Sequence, residues 1–137
     1  MGILQLNPPI MQDFVILDAA VYPSEVKSIS VAHDDTYGGA HSYCFQKSAG
    51  FENGQTKYVD EHVVVSFLQK DTDGTMKPGI LSDQLVLALI DRHKKLNAIF
   101  PSAHNEKAIA GLQQFLDAQK ERVDERMNRG VMGELKK

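Results

Sequence analysis

The sequence predicts an α+β protein: a small antiparallel N-terminal β-sheet, then a long antiparallel C-terminal helical hairpin through which copies of the chain assemble. Three observations predict it. Up to about residue 70 the apolar residues come in short bursts separated by turn signals, the mark of short strands. From Ser82 they recur at three- and four-residue steps, the period of an amphipathic helix. Charge divides at the same place. Residues 1–78 hold five lysines, no arginine and ten acids, hence net −5, whereas residues 79–137 hold ten basic and eight acidic residues, hence net +2, and include all four arginines.

The elements follow in order. Phe14-Val15-Ile16-Leu17 is one apolar burst; Val26, Ile29 and Val31 make a looser one, and Asp34-Asp35-Thr36-Tyr37-Gly38-Gly39 breaks the chain. Asn53-Gly54 is the strongest short hairpin dipeptide, because both residues tolerate the positive φ that a type I′ turn needs. It pairs residues 41–51 with 56–69, the latter rich in β-branched and aromatic types (Tyr58, Val59, Val63, Val64, Val65, Phe67). Asp71-Thr72-Asp73-Gly74 and Pro78-Gly79 close the β-rich half, residues 1–78 of one domain spanning 1–137.

The first helix is expected to begin at a Ser82 N-cap and to carry Leu85, Val86, Leu89, His93, Leu96, Asn97 and Phe100 on its stripe. Pro101 ends it by disfavouring helical geometry in the preceding residue. A second helix opens near Ser102–His104 and runs to about Asn128, with Gly130 as its stop. Its stripe is Ile109, Leu112, Leu116, Gln119, Val123 and Met127, stepped like a coiled-coil seam. The short connection forces the helices antiparallel. A helix of about 24 residues is roughly 36 Å long, more than the roughly 30 Å breadth of a domain this size, so one end projects or meets another subunit.

Composition excludes several classes. With 42% apolar residues and a net charge of −3 the chain is not of a disordered type. It shows neither the roughly 20-residue apolar run of a membrane span nor a leader pattern, and Met1-Gly2-Ile3-Leu4-Gln5-Leu6 lacks the Ser/Thr of a myristoylation signal. A single cysteine, Cys44, leaves no intrachain disulfide. Neither half has the positive balance of a duplex-DNA binder. A soluble cytoplasmic protein is expected, with no cofactor and no metal.

Arginines carry the chemistry that remains. Arg122, Arg126 and Arg129 are separated by four and three residues, along one side of the second helix, and planar forked guanidinium groups suit phosphate oxygens. The plainer reading is a solvated helix end, with Glu125 pairing Arg129 at i+4. Asn105 sits at the helix start, where free backbone N–H groups bind anions, or where Ser102 or Asn105 is simply a cap. Asn105 and Arg122 are 17 residues apart, some 26 Å along one helix, so a small ligand reaches both only between subunits. His33-Asp34-Asp35 resembles the middle of a metal phosphohydrolase motif, and Asp71, Asp73 and Gly74 part of a calcium loop, but each is better read as a turn. No triad, phosphate loop or carboxylate pair emerges, so catalysis is not expected.

The run Phe100-Pro101-Ser102-Ala103-His104-Asn105, the helix after it, and the ending Arg122-Val123-Asp124-Glu125-Arg126-Met127-Asn128-Arg129-Gly130-Val131-Met132-Gly133 resemble the helical hairpin shared by two groups of phage counter-defence proteins. These are the Thoeris anti-defence sponges and the anti-CBASS sponges. A β-rich half before the hairpin is like the Thoeris group. The resemblance covers about 45% of the chain; over the β half it is one of architecture alone. It implies a protein that acts in the cytoplasm of an infected bacterium and binds a cyclic immune messenger without cleaving it. For the Thoeris type the messenger is a cyclic ADP-ribose isomer; some members also hold cyclic di- or trinucleotides. It further implies a homo-oligomer built from dimers, often a hexamer, with pockets at subunit contacts and with no DNA, RNA or membrane partner.

Carried over by position, the resemblance assigns ligand binding to Asn105, Arg122 and Arg126, and matches Arg129, Gly130, Val131 and Gly133 to the family's ending. Phe100 is the nearest candidate for a base-stacking aromatic. Where the family often has Cys-Arg-Glu before the asparagine, this chain has Ser102-Ala103-His104. Two other readings stand beside the sponge: an oligomeric helical scaffold that inhibits a host protein, and a nucleotide-processing enzyme using His33, Asp34 and Asp35.

Overall fold

Asn53 and Gly54 both take positive φ (53° and 76°), the left-handed pair that lets two strands reverse with matched twist. This turn joins β3 (Ser42–Glu52) to β4 (Gln55–Ser66), the longest strands of the computed structural model. The structure describes residues 14–17, 21–22, 29–32 and 41–130. Two shorter strands, β1 (Phe14–Leu17) and β2 (Ile29–Ala32), extend the sheet in the order β1-β2-β3-β4, antiparallel throughout. Residues 33–40, with His33, Asp34 and Asp35, lie outside the described residues, as do Val26 and Val131–Gly133.

The β3–β4 ladder is regular from Ser42↔Ser66 to Gln46↔His62 and then slips twice, between Gln46 and Ser48 and between Ser48 and Gly50. Side chains take over where backbone pairing lapses. Gln46 Nε2 donates to the Val59 carbonyl (3.1 Å), Ser48 Oγ donates to the Lys57 carbonyl (3.1 Å), and Gly50 N–H donates to Ser48 Oγ (3.1 Å). These bonds occupy the Val59 and Lys57 carbonyls and the Gly50 N–H at the bulges. Gly50 at φ +113° supplies the kink. Below the bulges Tyr43 meets Phe67 edge-on (centroids 5.8 Å apart, 85°), and Cys44, opposite Val64, is buried.

After Ser66 comes a second, two-stranded hairpin that the sequence pattern did not announce: β5 (Gln69–Lys70) with β6 (Met76–Lys77). Asp73 builds its turn. Its Oδ1 accepts from the Thr75 hydroxyl (2.7 Å) and the Thr75 N–H (2.9 Å), and the hydroxyl first, the backbone second, hold its carboxyl below the usual carboxylate range. Asp71 is engaged by Gln69 and Lys77. Among the described residues no group of three or more His, Cys, Asp or Glu is placed to hold a metal ion. Gly79 then passes so close to Phe67–Leu68 that a Cβ would fall within 3 Å of their backbone atoms, so only glycine fits there.

The chain comprises two compact units, Met1–Gly79 and Ile80–Lys137. The second is a pair of antiparallel helices, α1 (Ser82–Ile99) and α2 (Ala103–Asn128), packed on each other. Ser82 is the first helical residue rather than the cap. Leu81 holds the N-cap position with no side-chain acceptor, and Gln84 Oε1 accepts its N–H (2.7 Å). α2 has a true cap: Ser102 Oγ accepts from Asn105 N–H (3.0 Å). Gly130 at φ +72° closes α2, donating to the Met127 carbonyl (3.0 Å).

Burial is sparse. Among the described residues the buried apolar side chains are Cys44 and Ile90, the buried polar ones His41 and Arg126, and none is fully enclosed. Among the described residues neither unit encloses a large core, and large apolar side chains stay exposed on both.

Candidate functional site: two faces of the helical hairpin

Half-buried and buried positions on α2 are Asn105, Ile109, Leu112, Leu116, Gln119, Val123 and Arg126, an unbroken alternation of four and three. This is the seam against α1, which contributes Val86, Ile90, His93 and Asn97. Two details depart from the stripes read in the sequence. The α2 seam ends on Arg126, because the step after Val123 is three; Met127 is 61% exposed. The α1 stripe is really two: Leu85, Leu89 and Leu96 lie a quarter-turn round from the seam.

At 100° per residue the hairpin's two broad sides can be laid out. One carries Leu85, Leu89, Arg92 and Leu96 from α1, with His104, Ala108, Gly111, Phe115, Ala118 and Arg122 from α2. Antiparallel direction brings both sets to the same side of the pair. The other side carries Asp83, Leu87, Asp91 and Lys94, with Glu106, Gln113, Asp117, Lys120 and Asp124. The contrast is clear: the second side holds acids and bases together, whereas the first has no carboxylate until its last turn, where Glu125 lies at its edge beside Arg129. Leu89, Leu96 and Phe115 on the first side are 42%, 39% and 40% exposed.

Pairing follows the same division. Lys95 bridges Asp91 (2.9 Å) and Lys120 bridges Asp124 (3.1 Å), both at i,i+4. Arg129, the C-cap residue of α2, bridges Glu125 and so takes the one carboxylate within reach of Arg122 at i+3. Arg122 is exposed and, like Arg92, makes no hydrogen bond or ion pair among the described residues. Arg126 is 8% exposed and engaged by an interaction within the chain. The three arginines that share one side in the sequence therefore stand in three settings: one exposed and unpaired, one buried, one tied to its own helix end.

The turn between the helices is cross-braced. Asn97 Oδ1 accepts from Ser102 N–H (3.0 Å), and Asn105 Nδ2 donates to the Phe100 carbonyl (3.1 Å). Asn105 thus pins the turn with its amide nitrogen while its backbone completes the cap. Phe100 is 77% exposed, outside any core that this chain forms by itself. Asn105 and Arg122 belong to one continuous helix, so the roughly 26 Å between them stands.

Arg92 was missed in the sequence, although its signal was there. It falls on the Leu85/Leu89/Leu96 stripe, and its neighbours three and four residues away are Ala88, Leu89, Lys95 and Leu96, none of them acidic. Among the described residues no helix is long and apolar enough to cross a membrane. No protein-family model matches this sequence, and no curated protein matches it.

Proposed function

We propose that this protein is a sponge: it binds a cyclic ADP-ribose-type immune messenger without cleaving it, and so keeps the downstream effector inactive during phage infection. It acts in the cytoplasm of the infected bacterium, as a homo-oligomer built from dimers. The observation that carries the reading is Arg122, exposed and unpaired on the apolar side of the hairpin, where Arg129 bridges the neighbouring carboxylate, Glu125. A guanidinium in that setting offers two parallel donors to a phosphate.

The apolar side supports the assembly. It is about 27 Å long, the length of α1, and about two helix diameters wide, a projected area near 500 Å². Side-chain relief raises its accessible area towards the roughly 800 Å² per partner of a standard interface. A second copy presents the same heptad-stepped surface, and a two-fold contact would set that one patch against itself. A messenger held between two hairpins can touch the helix start of one and the arginines of the other.

Calorimetric titration with cyclic ADP-ribose isomers, and separately with cyclic dinucleotides, tests the reading. Ligand recovered intact after heat denaturation supports a sponge and argues against an enzyme. Arg122→Ala is expected to lose about 1.5–3 kcal/mol, roughly tenfold to over a hundredfold in affinity, with the oligomer intact. No heat and no thermal shift with any of these compounds would overturn the proposal. The scaffold reading, with the apolar side seated on a host protein, would then be favoured.

A further inference from the structure

The apolar side presents a charge problem that its own chain does not solve. Arg92 stands in the middle of it, flanked along α1 by Leu89 and Leu96 and, across the hairpin, about level with Gly111. The three-residue connection and the antiparallel run set that level. Gly111 leaves open space beside it, for no atom lies within 4 Å of where its Cβ would be. Lys95 and Lys120 have carboxylates one turn away; Arg92 and Arg122 have none free to them. Covering the face with a second copy adds two more unpaired guanidinium groups and no acid but Glu125, which Arg129 already bridges. Taking a cation out of water without a counter-charge costs several kcal/mol. A covered face therefore calls for an anion from outside the chain.

We propose that Arg92 is a further anion-binding residue of this face, acting with Arg122 on the phosphates of the sequestered ligand; the inference rests on the sponge reading for the ligand's identity but not for its charge. Along the hairpin the two arginines are about 16 Å apart, from the level of Arg92 to that of Arg122. In a two-fold pair of hairpins whose axis passes near Phe115, Arg92 of one copy comes level with Arg122 of the other. Two guanidinium groups, one from each subunit, then bracket a pyrophosphate. The site is incomplete in one chain and complete in two.

The test uses the full-length chain as wild type, Arg92→Gln, Arg92→Lys and Arg122→Gln. Cyclic ADP-ribose isomers are titrated calorimetrically, inorganic pyrophosphate by the Nε–Hε NMR signals of the arginines, and assembly is followed by sedimentation velocity. Arg92→Gln is expected to weaken cyclic nucleotide binding tenfold to a hundredfold, Arg92→Lys to recover part of the loss, and ligand-free assembly to stay or tighten. If Arg92→Gln binds within twofold of wild type while Arg122→Gln does not, the role of Arg92 is refuted and the sponge reading stands. If Arg92→Gln instead loosens assembly, Arg92 pairs with a partner acid and the proposal fails. If wild type ignores every cyclic nucleotide, the sponge reading fails. Pyrophosphate then decides for Arg92 alone: its signal shifts with the anion, or the proposal falls too.

Discussion

Phe115→Ala separates assembly from folding. Phe115 lies off the seam between the helices and is 40% exposed, so in one chain it supports little. With roughly 200 Å² of surface for a phenylalanine, that fraction is about 80 Å² per copy and about 160 Å² across a two-fold contact. At 25 cal/mol per Å² the upper limit is about 4 kcal/mol. The alanine keeps part of the contact and the facing side chains relax, so about 2–4 kcal/mol is the working range, a rise in the dimer dissociation constant of roughly thirtyfold to a thousandfold. Sedimentation velocity over a concentration series reads that change, and circular dichroism checks that helix content holds. An unchanged dissociation constant would show that copies meet elsewhere. A parallel loss of helix would show that Phe115 belongs to the fold, contrary to its place off the seam.

Other outcomes follow from the β-rich unit. Gly79→Ala drives a methyl group into the Phe67–Leu68 backbone and is expected to cost about 1–3 kcal/mol, seen as a lower midpoint in thermal unfolding; an unchanged midpoint would mean that the close approach is not held in solution. Thr75→Val removes the hydroxyl that contributes most to lowering the Asp73 pKa, so a carboxyl NMR titration should show Asp73 moving back towards the ordinary range. Because the folded value is depressed, the stabilisation from this turn is present above the ordinary carboxylate pKa and fades as pH falls through the lowered folded value.

Much of this architecture is legible in the residues because local chemistry dictates it. Asn53-Gly54 fixes a hairpin by backbone freedom alone, Ser102 caps a helix, and Gly130 stops one. The rest depends on choices that a pattern does not reveal. Three or four residues after Val123 lie Arg126 and Met127; hydrophobicity favours the methionine, yet the helix turns the arginine inward and leaves Met127 exposed. The seven-residue stripe of the first helix covers too wide an arc to serve one neighbour, and only the packing of α2 shows where it divides. The β5–β6 hairpin has two residues to a strand, too few for alternation to register. Of the candidate site, the sequence offered Arg122, Arg126, Arg129, Asn105 and Phe100; it did not separate the exposed Arg122 from the buried Arg126, and it passed over Arg92.

Strand β4 forms one end of the four-stranded sheet, with β3 on its inner side. Among the described residues no strand pairs with its outer backbone groups, and Val63 and Val64, 45% and 41% exposed, make that edge apolar. The proposed assembly requires that copies do not join there in the wrong way. The residues just before the valines, Asp60, Glu61 and His62, are exposed, and Lys47 reaches across to hold Glu61 (3.3 Å). Two such edges approaching in antiparallel register would set acid against acid or against valine. Charge beside the valine run thus acts as a gatekeeper against edge-to-edge aggregation, which leaves the helices free for the assembly proposed above.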